Sequence, residues 1–407
     1  MTIRFIILLI FLLIIEIYAF YAFKIAIKSK YINYIYIIIN VLIVTYVFYS
    51  FSKFDRGTGQ TSKTLFVAGL LFITFIPKVV LSSFLFIEDV SRILRGIFNY
   101  FSSDNQAYIP QRREFVSKLA LFTASIPFFS ILYGVTKGKY NFKVIKQKIF
   151  FKNLPNAFNG ITITHISDIH SGSLDNKEKV NQAIEKINEL NSDIVLFTGD
   201  IVNSLATEFD PWIDSFKKIH NAKFGKFSIL GNHDYGEYLD WKGNKTAKEN
   251  NFNAIKAIHE KIDFKLLLNE NVTLEKNSEK IVLLGIENWG RKFKQAGDLV
   301  KTLENVNSTD FKILMSHDPS HWDEEVQNYH IPIDLTLSGH THGLQFGIEI
   351  PGFFKWSPVQ YVYKQWAGLY ENNKKYLYIN RGFGFHGYPG RVGIMPEITQ
   401  ITLEKLN

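Results

Sequence analysis

Four long apolar runs fill the first third of the chain. Residues 3–23 are almost unbroken Ile, Leu, Phe and Tyr, with Glu16 the only acid among them. Residues 31–51 repeat the pattern, 65–87 carry it across Pro77 and Lys78, and 119–135 form a shorter fourth run. A helix crossing a bilayer needs about 20 apolar residues, with about 17 at the low end. The pattern therefore predicts a membrane region over residues 1–136 with about four spanning helices. One cleavable leader would not produce several such runs in succession. Glu16 and Lys78 are costly in lipid unless they pair, face other helices or reach an interface.

Beyond residue 160 the rhythm changes. "ITITHIS" (161–167), "DIVLFT" (193–198), "FSIL" (227–230), "IVLLGI" (281–286), "FKILMS" (311–316) and "DLTLS" (334–338) are apolar stretches of strand length. Between the first two, residues 176–190 set Val180, Ile184 and Ile187 at helical spacing with charges opposite, and residues 250–262 read similarly. Strand and helix in alternation predict a layered α/β domain over residues 155–407. A lysine-rich linker, 137–154, joins it to the membrane region. Its Lys137, Lys139, Lys143, Lys146 and Lys148 are expected on the lipid surface or in a first strand.

The net charge of +8 is unevenly divided: residues 1–150 hold 18 Lys and Arg against 6 Asp and Glu, the remainder 28 against 32. The excess lies between apolar runs, so it reports topology, and no nucleic-acid partner is expected. Lys24, Lys28 and Lys30 share one side of a four-span path with Arg92, Arg95, Arg112, Arg113 and Lys118. Arg4, Lys53, Arg56 and Lys63 fall on the other. The richer side is expected in the cytoplasm, with the C-terminal domain outside it. "RREFVSKLALF" (112–122) resembles a twin-arginine export signal, and reads equally as a basic anchor beside a span. The absence of cysteine excludes disulfides, thiolate zinc sites and cysteine nucleophiles.

Five of the strand-like stretches run directly into polar residues. These are Asp168-Ile-His170, Gly199-Asp200 with Asn203 close behind, Gly231-Asn232-His233-Asp234, His317-Asp318 and Gly339-His340-Thr341-His342. Ligands of open α/β sheets bind at that edge. Singly, each motif could be a capping aspartate, a common turn, or a satisfied histidine. The ordered set points to metal. Asp, Asn and His suit Mn, Fe, Zn or Mg, and they are too many for one four-coordinate zinc. Two ions sharing a carboxylate fit better, as in displacements at phosphorus. His165, His220, His259, His321, His330 and His386 follow no such rule and read as structural or surface residues.

The order D-x-H, G-D, G-N-H-D, H, G-H-T-H resembles the calcineurin-like metallophosphoesterases, over about residues 155–407. The tail "LYINRGFGFHGYPGRVGIMPEITQITL" (377–403) resembles the bacterial membrane-tethered and twin-arginine-exported subgroup. Leu344 departs from that pattern, where relatives often carry glycine. The resemblance implies a four-layer α/β/β/α sandwich in a multi-pass bacterial membrane protein. It further implies one ion on Asp168, His170 and His342, a second on Asn232, His317 and His340, and Asp200 bridging them. Thr341 would then separate two histidines serving neighbouring ions. A hydroxide formed between the ions would attack phosphorus, and His233 would protonate the leaving oxygen, oriented by Asp234 or another carboxylate. Asn203 would hold its turn or bind substrate. Arg381 and Arg391 would contact phosphate, or form ordinary salt bridges.

Three functions stay open at this point: a phosphoesterase acting on a lipid or envelope phosphate, a pyrophosphatase of a nucleotide-linked lipid such as UDP-diacylglucosamine, and a sensor or scaffold without catalysis. The aromatics Phe353, Phe354, Trp356, Tyr361, Tyr363 and Trp366 are expected in the core of a C-terminal subdomain, or else over a greasy ligand or lipid.

Overall fold

A computed structural model describes residues 3–55, 57–102, 110–350 and 352–406. It divides into two compact units, one of residues 1–54 and 66–133, the other of residues 55–65 and 134–407.

The first unit is helical: α1 (Ile3–Ala26), α2 (Lys30–Ser52), α3 (Ser62–Ser102) and α4 (Pro110–Thr136). Among the described residues, α2, α3 and α4 each hold a stretch long and apolar enough to cross a membrane. The helix α3 outruns the expected span because Val90, Ile93, Leu94 and Ile97 keep helical spacing across Gly96 and no proline follows Pro77 within it. Lys78 Nζ lies 2.6 Å from Glu16 Oε1, so the two costly charges neutralise one another. Ala19, Ala22, Ala120 and Ala124 let the helices approach closely around Leu81 and Leu85. Arg113 Nη1 is 2.8 Å from Asp89 Oδ1, and Arg112 Nη2 donates to Ser91 Oγ at 2.7 Å. Both arginines are thus tied to α3.

The second unit is a sandwich. Its elements are β1 (Lys143–Phe151), β2 (Thr162–Ile166), α5 (Lys177–Glu189), β3 (Ile194–Phe197), α6 (Ile213–Phe216), β4 (Lys226–Ser228), α7 (Lys245–Lys261) and β5 (Lys265–Leu266), followed by β6 (Glu270–Lys276), β7 (Glu279–Gly285), α8 (Leu299–Thr302), β8 (Phe311–Met315), α9 (Ser320–Glu324) and β9 (Leu335–Ser338). The chain ends through β10 (Ile348–Ile350), β11 (Phe354–Trp356), β12 (Gly368–Asn372), β13 (Lys375–Ile379) and β14 (Glu397–Lys405). One six-stranded sheet runs β1-β14-β2-β3-β4-β5, the other β12-β13-β9-β8-β7-β6, and β10 and β11 form a separate hairpin.

Pleating sorts the side chains into layers. Ile194 and Leu196 of β3 meet Ile281, Leu283, Ile313 and Leu337 of the other sheet in the central core. Val195 and Phe197 face the other way, onto Val180, Ile184 and Ile187 of α5 and Ile255 and Ile258 of α7. Val282 and Leu284 pack outward against Leu299 and Trp322 of the α8–α9 layer. The expected α/β/β/α order is present. Strands β2, β3 and β4 run parallel in one sheet and β7, β8 and β9 in the other, so each sheet gathers its C-terminal ends along one edge.

Two expected boundaries need correction. Residues 143–151 of the expected linker form β1, the first-strand alternative for its lysines, paired in parallel with β14, because Ile149 and Phe151 point into the core between solvent-facing residues. The segment Asp55–Leu65, which is the α2–α3 loop with the first turn of α3, belongs to the sandwich unit and not to the helical one. Leu65 enters the core beneath α5. Gln60 Nε2 donates to Ser173 Oγ at 2.7 Å, and Gln60 Oε1 accepts from Gly387 N at 2.8 Å. Arg56, counted above among the loop charges, lies outside the described residues.

Candidate metal centre

Five strands deliver the candidate side chains: β2, β3 and β4 from one sheet, β8 and β9 from the other. The backbone there is unusual. Asp168, His170, Asp200, His340 and His342 all take positive φ, from 46° to 70°. Non-glycine residues rarely do so, and such backbone strain clusters where a site over-determines its residues. Close approach between loops adds to it. A Cβ on Gly339 would stand 1.9 Å from Ser167 Oγ and 2.2 Å from Asp168 Oδ2. Only glycine lets β9 end against the β2 loop.

The donors converge in two buried groups. In the first, His342 Nε2 lies 3.2 Å from Asp168 Oδ1 and 3.0 Å from His170 Nε2. In the second, His317 Nε2 lies 3.2 Å from Asp200 Oδ2, and His340 Nδ1 lies 2.8 Å from Asn232 Oδ1. Within Asp168–His170–His342, and within Asp200–His317–His340, all ligand atoms fall within 4.8 Å of one another. Asp200 Oδ2 is also 3.5 Å from His170 Nε2, so one carboxylate oxygen faces both groups.

Hydrogen bonds aim the imidazoles. His317 Nδ1 is 2.7 Å from the Thr198 carbonyl, which fixes the proton there and turns the Nε2 lone pair inward. That buried Nε2 has no hydrogen-bond partner among the described residues. His170 Nδ1 is 3.1 Å from Asn203 Oδ1, and His233 Nδ1 is 2.7 Å from the Asn203 carbonyl. A ring N–H given to a carbonyl, with the other nitrogen free, is how metal-binding histidines are oriented. The donor set, the orphaned nitrogen and the converging lone pairs fit divalent cations.

Charge explains the protonation states. Burial pushes the carboxyls of Asp168 and Asp200 up, but neighbouring imidazoles outweigh it and hold both below the usual carboxylate range. Burial opposes charge on His317, yet Asp200 and Asp168 raise it to about 10. His170 is driven down, first by burial and then by His386, His233 and His342. The two carboxylates thus favour positive charge beside them, which is the place a cation would take.

Several expectations change here. The Asp234 carboxylate does not touch the His233 ring. It accepts from the amides of Gly231 at 2.8 Å and of Asp200 and Ile201 at 2.9 Å, pinning the turn, while burial and Asp200 raise it to about 7. Arg381 is ion-paired with Glu349 and Glu397. Arg391 is fully buried, donates to the carbonyls of Arg381, Gly382 and Gly384, and lies 3.1 Å from His342 Nδ1. Neither guanidinium is left open for a phosphate. Asn203 faces inward, its side chain between His170 and His386.

His386, read above as structural or surface, stacks 4.8 Å from His170 and lies 4.4 Å from His233. Its segment reaches the site because Phe383 N donates to the Ser167 carbonyl at 2.7 Å and Gly384 N to that of Asp168 at 2.8 Å. Two tyrosines join it, Tyr238 unforeseen and Tyr363 expected instead in a C-terminal core or over a greasy ligand. Asn232 Nδ2 donates to Tyr238 Oη at 2.7 Å, and Tyr363 Oη lies 2.8 Å from His340 Nε2. No strand-end pattern marks any of the three.

Two family descriptions match the chain: "Probable Calcineurin-like phosphoesterase, transmembrane domain" over residues 3–139 and "Calcineurin-like phosphoesterase" over residues 161–344. The "Uncharacterized metallophosphoesterase YkuE" of Bacillus subtilis is 31% identical over 263 residues, which cover 62% of this chain and 82% of the relative. A zebrafish (Danio rerio) "Transmembrane protein with metallophosphoesterase domain" is 27% identical over 282 residues, 67% of this chain and 60% of the relative. The "UDP-2,3-diacylglucosamine pyrophosphatase LpxG" of Chlamydia muridarum is 26% identical over 283 residues, 57% of this chain and 81% of the relative.

Proposed function

The chain belongs to the calcineurin-like metallophosphoesterases, hydrolases of phosphoester bonds, here with an N-terminal transmembrane domain, and from that premise we propose that it uses two divalent ions to hydrolyse a phosphate ester or diester of a lipid or other envelope molecule. The observation that carries the reading is Asp200, whose Oδ2 faces His317 on one side and His170 on the other. Asp168, His170 and His342 would hold one ion, and Asn232, His317 and His340 the other. Two such ions supply an activated water and neutralise charge on the phosphoryl oxygens.

The remaining chemistry falls to the chain itself. His233 Nδ1 is committed to the Asn203 carbonyl, so Nε2 is the nitrogen that would pass a proton to the leaving oxygen. Asp200 Oδ1 accepts from His233 N at 2.8 Å, which couples the position of this imidazole to the bridging carboxylate. Tyr238, with its ring 4.4 Å from that of His233, walls one side.

The test uses full-length protein in nanodiscs with manganese and an aryl phosphate mono- or diester. Asp200→Ala is expected to lose both metal and turnover. His233→Ala is expected to keep the metal and lose turnover, most with poor leaving groups. Retained turnover in both variants refutes the assignment.

The name of the chlamydial relative favours a second reading, cleavage of a pyrophosphate in a nucleotide-linked lipid. That reading needs the sandwich in the cytoplasm, whereas the lysine and arginine distribution favours the opposite face. Labelling a cysteine introduced at Lys186 from either side of the membrane separates the two. The non-catalytic alternative has no support, since all seven proposed ligands and His233 are present.

A further inference from the structure

The hairpin of β10 and β11 is built inside out. Its register pairs Ile348 with Trp356, Glu349 with Lys355 and Ile350 with Phe354. Pleating therefore gives it an apolar face and a charged face. The charged face makes its contacts with the rest of the unit: Glu349 pairs with Arg381, and Lys355, though exposed, donates through Nζ to the Ala367 carbonyl at 2.7 Å and Tyr370 Oη at 3.0 Å. The apolar face turns out. Ile348, Ile350 and Phe354 are about half exposed, and Phe353 beside them is 86% exposed. Tyr361 and Val362, which follow, are 78% and 62% exposed. The expectation of an aromatic core holds for Trp366, buried with Val359 and Ile394, and fails for these residues.

Leu344 adds to the apolar surface at a conformational cost. It has φ of 47° with its side chain exposed, a conformation glycine would adopt without strain. It follows Gly343, whose carbonyl accepts from Ser357 Oγ at the end of β11.

This surface adjoins the metal centre. Tyr363, next to Val362, lies 2.8 Å from His340 Nε2. The ring of Phe293 lies 4.8 Å from that of His340, between Lys292 and Lys294, which are exposed, while Arg291 before them is ion-paired with Glu324. Exposed aromatic and branched apolar groups together with lysine match the composition of an anionic bilayer interface. Residues 137–142 connect the apolar helix α4 to β1.

We infer that the β10–β11 hairpin, with Leu344, Tyr361 and Val362, is a platform that dips into the lipid surface beside the metal centre and presents to it phosphate esters whose chains remain in the leaflet. The substrate class rests on the reading under Proposed function; the platform's contact with lipid does not.

The chain lacks cysteine, so Phe353→Cys can carry a single nitrobenzoxadiazole dye in the full-length protein. It is reconstituted in vesicles of phosphatidylcholine and phosphatidylglycerol, with and without doxyl-labelled lipid. Dye on Lys186→Cys, an exposed site on α5, is the aqueous control. The inference predicts blue-shifted emission at 353, quenching by shallow doxyl groups, and neither change at 186. Emission at 353 that matches the control overturns it. A blue shift without lipid quenching also overturns it, since the cover is then protein, such as a second copy. A paired assay follows Phe353→Asp/Phe354→Asp. KM for phosphatidic acid in the vesicles is expected to rise at least tenfold, with hydrolysis of a soluble aryl phosphate unchanged. Quenching without hydrolysis of any phosphate ester leaves the platform standing and defeats the functional reading instead.

Discussion

Asn203 holds three imidazoles at once, which makes its removal a sharp test of the site. Its Oδ1 lies 3.1 Å from His170 Nδ1 and 3.2 Å from His386 Nδ1, while its main-chain oxygen holds His233. Its Nδ2 donates to Ser173 Oγ at 3.1 Å, the hydroxyl that Gln60 also reaches. Asn203→Ala deletes the side-chain contacts and keeps the main-chain one. His170 is 1% exposed, so water does not readily replace the lost acceptor. A buried N–H without a partner costs about 1–3 kcal/mol, which agrees with the roughly 10–100-fold loss of metal affinity that follows deletion of such an orienting group. The ion on Asp168, His170 and His342 is therefore expected to weaken by that factor. The ion on Asn232, His317 and His340 should be unaffected. Turnover at saturating metal should recover to within about threefold, because His233 keeps its anchor. Asn203→Asp, which retains an acceptor, should bind metal nearly as wild type. The assay is a manganese titration of full-length protein by calorimetry and electron paramagnetic resonance, with a thermal melt to check folding. Unchanged affinity in a folded Asn203→Ala protein would refute the orienting role. A loss of turnover at saturating metal as deep as that of His233→Ala would show that the side chain acts on the reaction itself.

Three further outcomes follow from the packing. Gly339→Ala drives a methyl group into Ser167 and Asp168, so both ions should be lost while far-ultraviolet circular dichroism stays native. Glu16→Ala leaves Lys78 unpaired within the helical unit, which should cost about 3 kcal/mol or more in a detergent unfolding assay; Glu16→Gln with Lys78→Met should recover most of it. His259 is fully buried, with both ring nitrogens lacking partners among the described residues, and burial depresses it to about 3. The unfolded chain therefore binds a proton near pH 6.5 that the folded chain refuses until about pH 3, and stability falls as pH drops between those values, by about 1.4 kcal/mol per unit. His259→Leu should match or exceed wild type at pH 7 and gain on it steadily toward pH 5 in chemical denaturation.

The architecture was legible where a local rule controls it. Apolar runs long enough for lipid marked the helices, β2, β3, β8 and β9 fell within the apolar stretches identified from periodicity, and β4 and β7 overlapped theirs. The proposed ligands stood out because each comes soon after a strand, and all but His317 lie beside a glycine or in a D-x-H or H-x-H spacing. What stayed hidden depends on contacts distant in sequence. Lysines left β1 open between a lipid-surface segment and a first strand, and its pairing is evident only once β14 lies beside it. His386 gains its place from main-chain pairing between residues 383–384 and the β2 loop. Gln60 acts from a segment 113 residues away from Ser173. Arg381 and Arg391 resembled phosphate ligands because composition alone does not reveal Glu349, Glu397 and the carbonyls that engage them.

The most direct test is anomalous diffraction from crystals of the full-length protein grown with manganese. Two peaks about 3.5–4 Å apart are predicted, one bounded by Asp168, His170 and His342, the other by Asn232, His317 and His340, with Asp200 between them. A solitary peak, no peak, or density away from Asp200 would contradict the shared carboxylate on which the account depends.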